Sequence, residues 1–308
     1  MKIAVCDNNN LKFIRDLLDQ WRGAGHEVTY ELGYNPALYD WCDVYFCDTC
    51  DNNAKVATRT ITTPGKFYVR PLDIDIWSGH PGGVDWSKVS GAIFINQDIH
   101  DYAVEQFGLQ NVNTKVIHCG IDINKFTLLP QGSRMDTHEV AVVLGRNRIY
   151  NDKRLDDAVK IIYELNQTSS DPWNLSVVGS MSNQKYYEKY LTYVIEQTGV
   201  RVELTEYVDD LNAWLDDKNF LISAGIKEAF GYSIGEAMAK GIRPVINNFW
   251  GSRSLWPGQY RYNTISEAVD IMRQPRSAPE LLGLRSYVEN RFGYHAYISN
   301  MNEFMGIR

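Results

Sequence analysis

The chain has 308 residues, 44% hydrophobic and 22% charged, which is the make-up of an ordinary globular protein and excludes disorder or a fibrous repeat over most of its length. At roughly 150 residues per domain, the length favours two domains, each able to close a modest core. Lys and Arg number 31 against 38 Asp and Glu, a formal charge of −7 to which residues 1–130 contribute most, so neither half is built to neutralise a phosphate backbone and nucleic-acid partners are disfavoured.

The amino terminus, Met1-Lys2-Ile3-Ala4-Val5-Cys6, runs into a polar stretch and lacks the apolar span and cleavage site of a signal peptide. No run of about 18 apolar residues follows anywhere, so no transmembrane segment is expected. The five cysteines are odd in number and lack framework spacing, which points to a reducing compartment and a cytoplasmic protein. Val- and Ile-rich runs at 2–6, 27–32, 43–47, 66–70, 92–96 and 115–118 predict parallel strands buried on both faces. Between the first two, Leu11, Ile14, Leu17, Leu18 and Trp21 fall at helical spacing, with Asn10 able to cap the helix.

A polar, turn-rich stretch, Thr127-Leu-Leu-Pro-Gln-Gly-Ser-Arg134, reads as a linker, after which the pattern restarts with strands at 139–144, 175–178, 200–204, 219–223 and 243–246. The first helix of this half carries Leu155, Ala158, Val159, Ile162 and Leu165, the stripe of a sheet-covering helix. Past Ile246 the run through Trp250, Trp256, Pro257 and Tyr260 reads as loop, and helical patterns close the chain at 265–273, 278–290 and 295–304. The expected fold is α/β, two Rossmann-like doubly wound domains facing a cleft: 1–130, 131–290, and a closing helix at 291–308 able to pack back on the first domain. Open sheets of this kind take ligands at the carboxyl ends of their strands. Residues 240–308 hold nine Arg and Lys against five Asp and Glu, which leaves room for a local anion site.

The most informative segment runs from Phe220 to Ile246. It parses as a buried strand, a loop with Gly225 and Gly231, a helix from about Ser233 to Lys240, a stop at Gly241 and another strand. A glycine-bearing loop entering a helix offers unpaired N–H groups and a positive dipole end to an anion. Glu228 and Glu236, eight apart, would bind hydroxyls, because carboxylates repel phosphate; a nucleotide sugar satisfies both requirements. A plainer reading stands beside this one: Ser233-Ile-Gly-Glu236 is itself a capping box, and Glu228 a solvated loop charge.

The whole segment resembles the E-x7-E motif of retaining glycosyltransferases with the GT-B fold, glycosyltransferase family four in particular, at Glu228, Ala229, Phe230, Gly231, Glu236, Ala237, Met238, Ala239, Gly241, Pro244 and Val245. Val142-Val-Leu-Gly-Arg-Asn-Arg-Ile-Tyr-Asn-Asp-Lys-Arg154 is similar to the strand, Gly-Arg and Lys that open the family's donor domain. His118-Cys-Gly-Ile-Asp-Ile-Asn-Lys-Phe126 is similar to its Asn-Gly-Val-Asp segment. The resemblance implies an acceptor-side first domain and a donor-binding second domain. It assigns catalysis to Glu228, Arg146 and Lys153, and donor binding to Glu236, Gly231, Tyr232, Ser233, Tyr207 and Leu211. Arg148 and Arg154 read as surface charges.

The implied reaction moves a sugar from a nucleoside diphosphate to a hydroxyl acceptor with retention, without a metal or other cofactor; the acceptor is a glycan, protein, lipid or small molecule. A nucleotide-sugar epimerase or isomerase of the same fold and a non-catalytic nucleotide-sugar binder are the alternatives. The chain departs from the family where Asp7-Asn-Asn-Asn10 replaces a Gly-Gly loop and Trp250-Gly-Ser-Arg-Ser-Leu-Trp256 replaces a Gly-Gly…Glu stretch. His80, Asp75 and Asp122 are candidate sugar or acceptor contacts, each with a plainer loop or turn reading. Cys47-Asp-Thr-Cys50 lacks a second Cys/His pair and reads as structural thiols.

Overall fold

The computed structural model describes residues 1–308 apart from 9, 10, 12, 129–136, 146–152 and 181–184. The chain divides into two compact units, Met1–Gly120 with His295–Arg308 and Ile121–Tyr294, and each contains a six-stranded parallel sheet with helices. Both sheets follow the strand-alternating pattern read from the sequence.

In the first unit the strands are β1 (Lys2–Cys6), β2 (Glu27–Glu31), β3 (Val44–Cys47), β4 (Phe67–Val69), β5 (Gly91–Phe94) and β6 (Thr114–Val116), in the order β2-β1-β3-β4-β5-β6. The inner strands β3 and β5 are buried at every residue, which is why they read as unbroken apolar runs, while the edge strands β2 and β6 are only partly covered. The first helix, Arg15–Gly23, buries Leu17, Leu18 and Trp21. It starts later than the sequence stripe suggests, because Leu11 sits in the left-handed region at φ 59 and its N–H is taken by Asp7 Oδ2 at 2.5 Å. Asn10 lies outside the described residues.

The helix Tyr294–Met305 closes the chain, and from His295 onward it belongs to this first unit. Trp21 Nε1 donates to Asn302 Oδ1 (2.7 Å), and the Phe304 ring meets Tyr68 edge-on. Arg70, at the end of β4 and fully buried, donates through Nη1 to the Tyr297 hydroxyl (2.9 Å) and pairs through Nη2 with Asp48 Oδ1 (2.5 Å). Gly91 is small for this helix: a Cβ there would lie 2.7 Å from Phe304.

In the second unit the strands are β7 (Glu139–Gly145), β8 (Asn174–Gly179), β9 (Val202–Thr205), β10 (Phe220–Ser223), β11 (Arg243–Asn247) and β12 (Arg261–Tyr262), in the order β12-β11-β10-β7-β8-β9. The helix Leu155–Asn166 lays Leu155, Ala158, Val159, Ile162 and Leu165 against Val142, Leu144 and Val177. Strand β12 is two residues long and escapes the sequence reading; it pairs Ile246 with Arg261 and Asn247 with Tyr262. The Trp250–Trp256 run, expected as loop, contains the short helix Ser252–Leu255 and buries Trp256. Among the described residues no helix is long and apolar enough to cross a membrane.

Candidate functional site

Strands β7 and β10 are parallel neighbours, so the loops that follow them leave the same edge of the sheet. Lys153 lies between β7 and the helix Leu155–Asn166, and Glu228 lies in the loop after β10. Seventy-five residues apart, they form an ion pair, Lys153 Nζ to Glu228 Oε1, with side chains only 13% and 7% exposed. The pairing follows from topology, since no local pattern in either loop encodes it. Arg146 and Arg148 lie outside the described residues. The ends of β7 and β8 approach so closely that a Cβ on Gly179, at φ +121, would lie 2.7 Å from the Gly145 carbonyl oxygen. Only glycine fits there.

The loop after β10 enters the helix Tyr232–Ala239 through Gly231, which is left-handed at φ +87. The expected capping box does not form. Gly231 occupies the capping position, which places Ser233 second and Glu236 fifth in the helix, and no side chain caps this end. The N–H groups of Ile234 and Gly235 turn back to the Gly231 carbonyl (3.0 and 3.5 Å), while no described residue accepts from the Ser233 N–H. Glu236 is released from its capping role, and among the described residues its carboxylate has no hydrogen bond and no ion pair.

Burial pushes the Glu236 carboxyl up to about 7, and the positive charge of Lys125 opposes the shift. Because the folded-state value lies above the usual carboxylate range, its contribution to stability is present below about pH 4.5 and is lost as pH rises through about 7. Glu236→Gln is therefore expected to stabilise the protein by about 1–3 kcal/mol at pH 8 and to leave it unchanged at pH 4.5. Urea denaturation at the two pH values checks this; equal effects at both would show that the carboxyl titrates normally.

The helix start is held from behind by groups that carry no ligand chemistry. Trp256 Nε1 donates to the Phe230 carbonyl (3.1 Å), and the Phe230 ring packs on Trp256 and Phe292. Asn247 Nδ2, at the end of β11, holds the Gly225 carbonyl at 3.1 Å. Segment 121–127 runs alongside: a Cβ on Gly235 would lie 3.0 Å from Ile121, Arg285 grips the carbonyls of Ile123, Phe126 and Ala239, and buried Lys240 reaches the Thr127 carbonyl, Asn212 and Asp216. Asp122 Oδ1 accepts from the N–H groups of Asn124 (2.9 Å) and Lys125 (3.3 Å), so its carboxylate shapes the turn that carries Lys125 toward Glu236. Lys125 and Asn247 are additions to the site. Lys125 lies inside a quoted motif, yet nothing in its spacing tells that its charge acts on Glu236.

Tyr207 and Leu211 lie in the segment after β9, on the same edge but beyond β8; Tyr207 is exposed and Leu211 begins a short helix capped by Asp210. His80 and Asp75 belong to the first unit. His80 Nδ1 lies 3.0 Å from Lys55 Nζ. Asp75 is buried and its Oδ2 accepts from the N–H groups of Cys50 (2.8 Å) and Leu72 (2.9 Å), a backbone-fastening role in place of a free loop charge. Burial raises its carboxyl, and these two bonds act against the rise. Cys47 and Cys50 are both buried, and among the described residues no group of three His, Cys, Asp or Glu is placed to hold a metal ion.

Residues 138–259, within the second unit, match the family model described as Glycosyl transferases group 1. No curated protein sequence matches the chain. Among solved structures, a glycosyltransferase from Rickettsia africae superimposes with a TM-score of 0.74 at 12% identity, over 99% of this chain and 98% of that one. The lipopolysaccharide outer core galactosyltransferase WaaB gives 0.74 at 17% identity, and Anabaena HepE in complex with UDP and glucose gives 0.72 at 15%, each over 99% of both chains. The fold is GT-B. At these identities the likeness carries the GT-B architecture alone, two Rossmann-like units each with its own parallel sheet.

Proposed function

We propose that this chain transfers a glycosyl group from a nucleoside diphosphate sugar to a hydroxyl acceptor, with retention at the anomeric carbon and without a resident metal. The observation that carries the reading is the Lys153–Glu228 pair beside a helix that begins on left-handed Gly231 and leaves the Glu236 carboxylate unengaged. The family-model match over residues 138–259 supports it.

In this reading the helix start and Lys153 receive the diphosphate, with Arg146 as a second cation. Opposite charge accumulates on the leaving phosphate as the glycosidic bond breaks, and fixed donors in a partly buried site stabilise it more than water does. The leaving oxygen lies on the face from which the acceptor approaches, so it takes the acceptor's proton and the configuration is kept. Glu228 holds sugar hydroxyls once Lys153 turns to phosphate, and Glu236 accepts from the ribose hydroxyls. The segment with Tyr207 and Leu211 receives the base.

The complexes of HepE with UDP, with UDP and glucose, and with UDP-glucose make UDP-glucose the first donor to try, ahead of a panel of other nucleoside diphosphate sugars. At least one donor is expected to raise the melting temperature and to release its nucleoside diphosphate slowly, with activity retained in EDTA. NMR of the released sugar or product is expected to show the donor's own anomeric configuration. No response to any donor overturns the reading, and an inverted anomer overturns retention.

A further inference from the structure

The residue that follows Lys153 reads from the sequence as a surface charge, and the structure gives it a second character. Arg154 stands in the left-handed region, at φ 47 and ψ 51, directly before the helix Leu155–Asn166. Among the described residues only Leu11 and Arg154 hold such a φ without being glycine. A Cβ in that conformation crowds the neighbouring carbonyl, so an L side chain stays there only when its surroundings fix it, whereas glycine adopts it freely.

At Arg154 the fixing groups form a network around the first turn of the helix. The Arg154 carbonyl accepts from the N–H groups of Asp157 (3.0 Å) and Ala158 (3.4 Å). Its guanidinium folds back over the same turn, Nη2 to Asp157 Oδ2 at 2.8 Å and Nε to Asp156 Oδ1 at 3.5 Å. Lys160 Nζ ties the two carboxylates together, 2.8 Å from Asp156 Oδ2 and 3.0 Å from Asp157 Oδ1. Asp156 is buried, and the hydroxyl of Tyr187, on the helix Lys185–Thr198, accepts its N–H (3.1 Å) and donates to its Oδ1 (3.0 Å). Burial raises the Asp156 carboxyl, but Lys160, Tyr187 and Arg154 outweigh it, so the carboxyl lies below its ordinary value and keeps its charge. Exposed ion pairs alone fix little; this set has a buried carboxylate at its centre and a tether to a second helix.

Lys153 comes one residue before this turn, and its largely buried side chain meets Glu228. The helix Leu155–Asn166 is held by its apolar stripe against the sheet, so the dihedral angles of Arg154 decide where the Lys153 backbone sits relative to it. We infer that Arg154 is a positioning residue: its left-handed turn aims Lys153 at Glu228, and the clamp of Asp156 and Asp157 on its guanidinium keeps an arginine in that turn. The catalytic consequence rests on the transfer reading above, for which Arg154 holds the cation that meets the diphosphate. A plain surface charge would make Arg154→Ala harmless and Arg154→Gly the worse variant, because glycine loosens an unstrained chain. A left-handed turn reverses that order.

The test is the coupling between Lys153 and Glu228, measured in urea from Lys153→Met, Glu228→Gln and the double variant, in wild-type, Arg154→Gly and Arg154→Ala backgrounds. Arg154→Gly is expected to keep the coupling and Arg154→Ala to lose at least half of it, with Arg154→Ala melting below Arg154→Gly. Coupling that survives in Arg154→Ala, equal loss in both variants, or the opposite order of melting each overturns the proposal. With the donor found in the panel, Arg154→Ala is expected to lower kcat about five- to thirtyfold with KM little changed, and Arg154→Gly to restore most of that loss. An unchanged kcat in Arg154→Ala, or an effect on KM alone, overturns it as well. A panel in which no donor turns over removes the transfer reading, and the coupling then decides by itself whether Arg154 aims Lys153.

Discussion

Lys153→Ala and Glu228→Ala are each expected to lower kcat/KM for transfer by about two to four orders of magnitude, the range found when a preorganised charge is removed from a reacting centre. The two losses should divide differently. In the proposed mechanism Lys153 meets charge that grows only as the nucleotide departs, so its removal should fall mainly on kcat. In the same mechanism Glu228 holds hydroxyls that are present in donor and transition state alike, so KM should rise as well. Stability supplies an independent check, because the pair is largely buried. Deleting either partner strands the other charge, and both single variants should melt below the wild type, whereas Lys153→Met with Glu228→Gln should recover much of the loss. Steady-state kinetics with the donor found in the panel, alongside melting curves, decides the matter: full activity in either single variant removes that residue from the site.

How far the sequence reveals this depends on what each feature requires locally. The parallel strands are legible because a strand buried on both faces must be apolar throughout, and Val44–Cys47 and Gly91–Phe94 are buried at every residue. Helices with a continuous apolar stripe are legible too, as with Leu155–Asn166. The helix Lys185–Thr198 is not, since it buries only Leu191 and Val194 and shows Tyr186, Tyr190 and Tyr193 to solvent. Likewise the two-residue β12 carries no periodicity to detect.

In the candidate site, the helix start around Gly231 could be read from its glycine and its motif, but the choice between the capping and ligand readings of Glu236 could not. A capping box needs its Ser or Thr outside the helix, and the left-handed turn at Gly231 draws Ser233 inside. Two residues of offset convert a structural carboxylate into an available one. The Lys153–Glu228 pair and the Arg243–Glu280 pair are invisible for a different reason: each joins elements distant in sequence, and only the strand order brings them together.

The first unit offers the sharpest stability experiment. Arg70→Met is expected to cost about 3–5 kcal/mol at pH 8, because it leaves Asp48 at 1% exposure without its cation and releases the Tyr297 hydroxyl on the closing helix. Asp48 already sits high, pushed up to about 6 by burial while Arg70 pulls it down. A carboxyl raised in the folded state supplies stability below its unfolded value of about 3.8 and forfeits it as pH climbs through the folded one. Without Arg70 the carboxyl rises further, so at pH 8 the variant must either bury a lone charge or take up a proton from dilute supply. At pH 5 it is protonated in the variant and largely so in the wild type, and only the lost packing and the Tyr297 bond remain. The deficit in urea should therefore shrink markedly from pH 8 to pH 5. An equal deficit at both would mean that the guanidinium serves the closing helix alone and that Asp48 finds its compensation elsewhere.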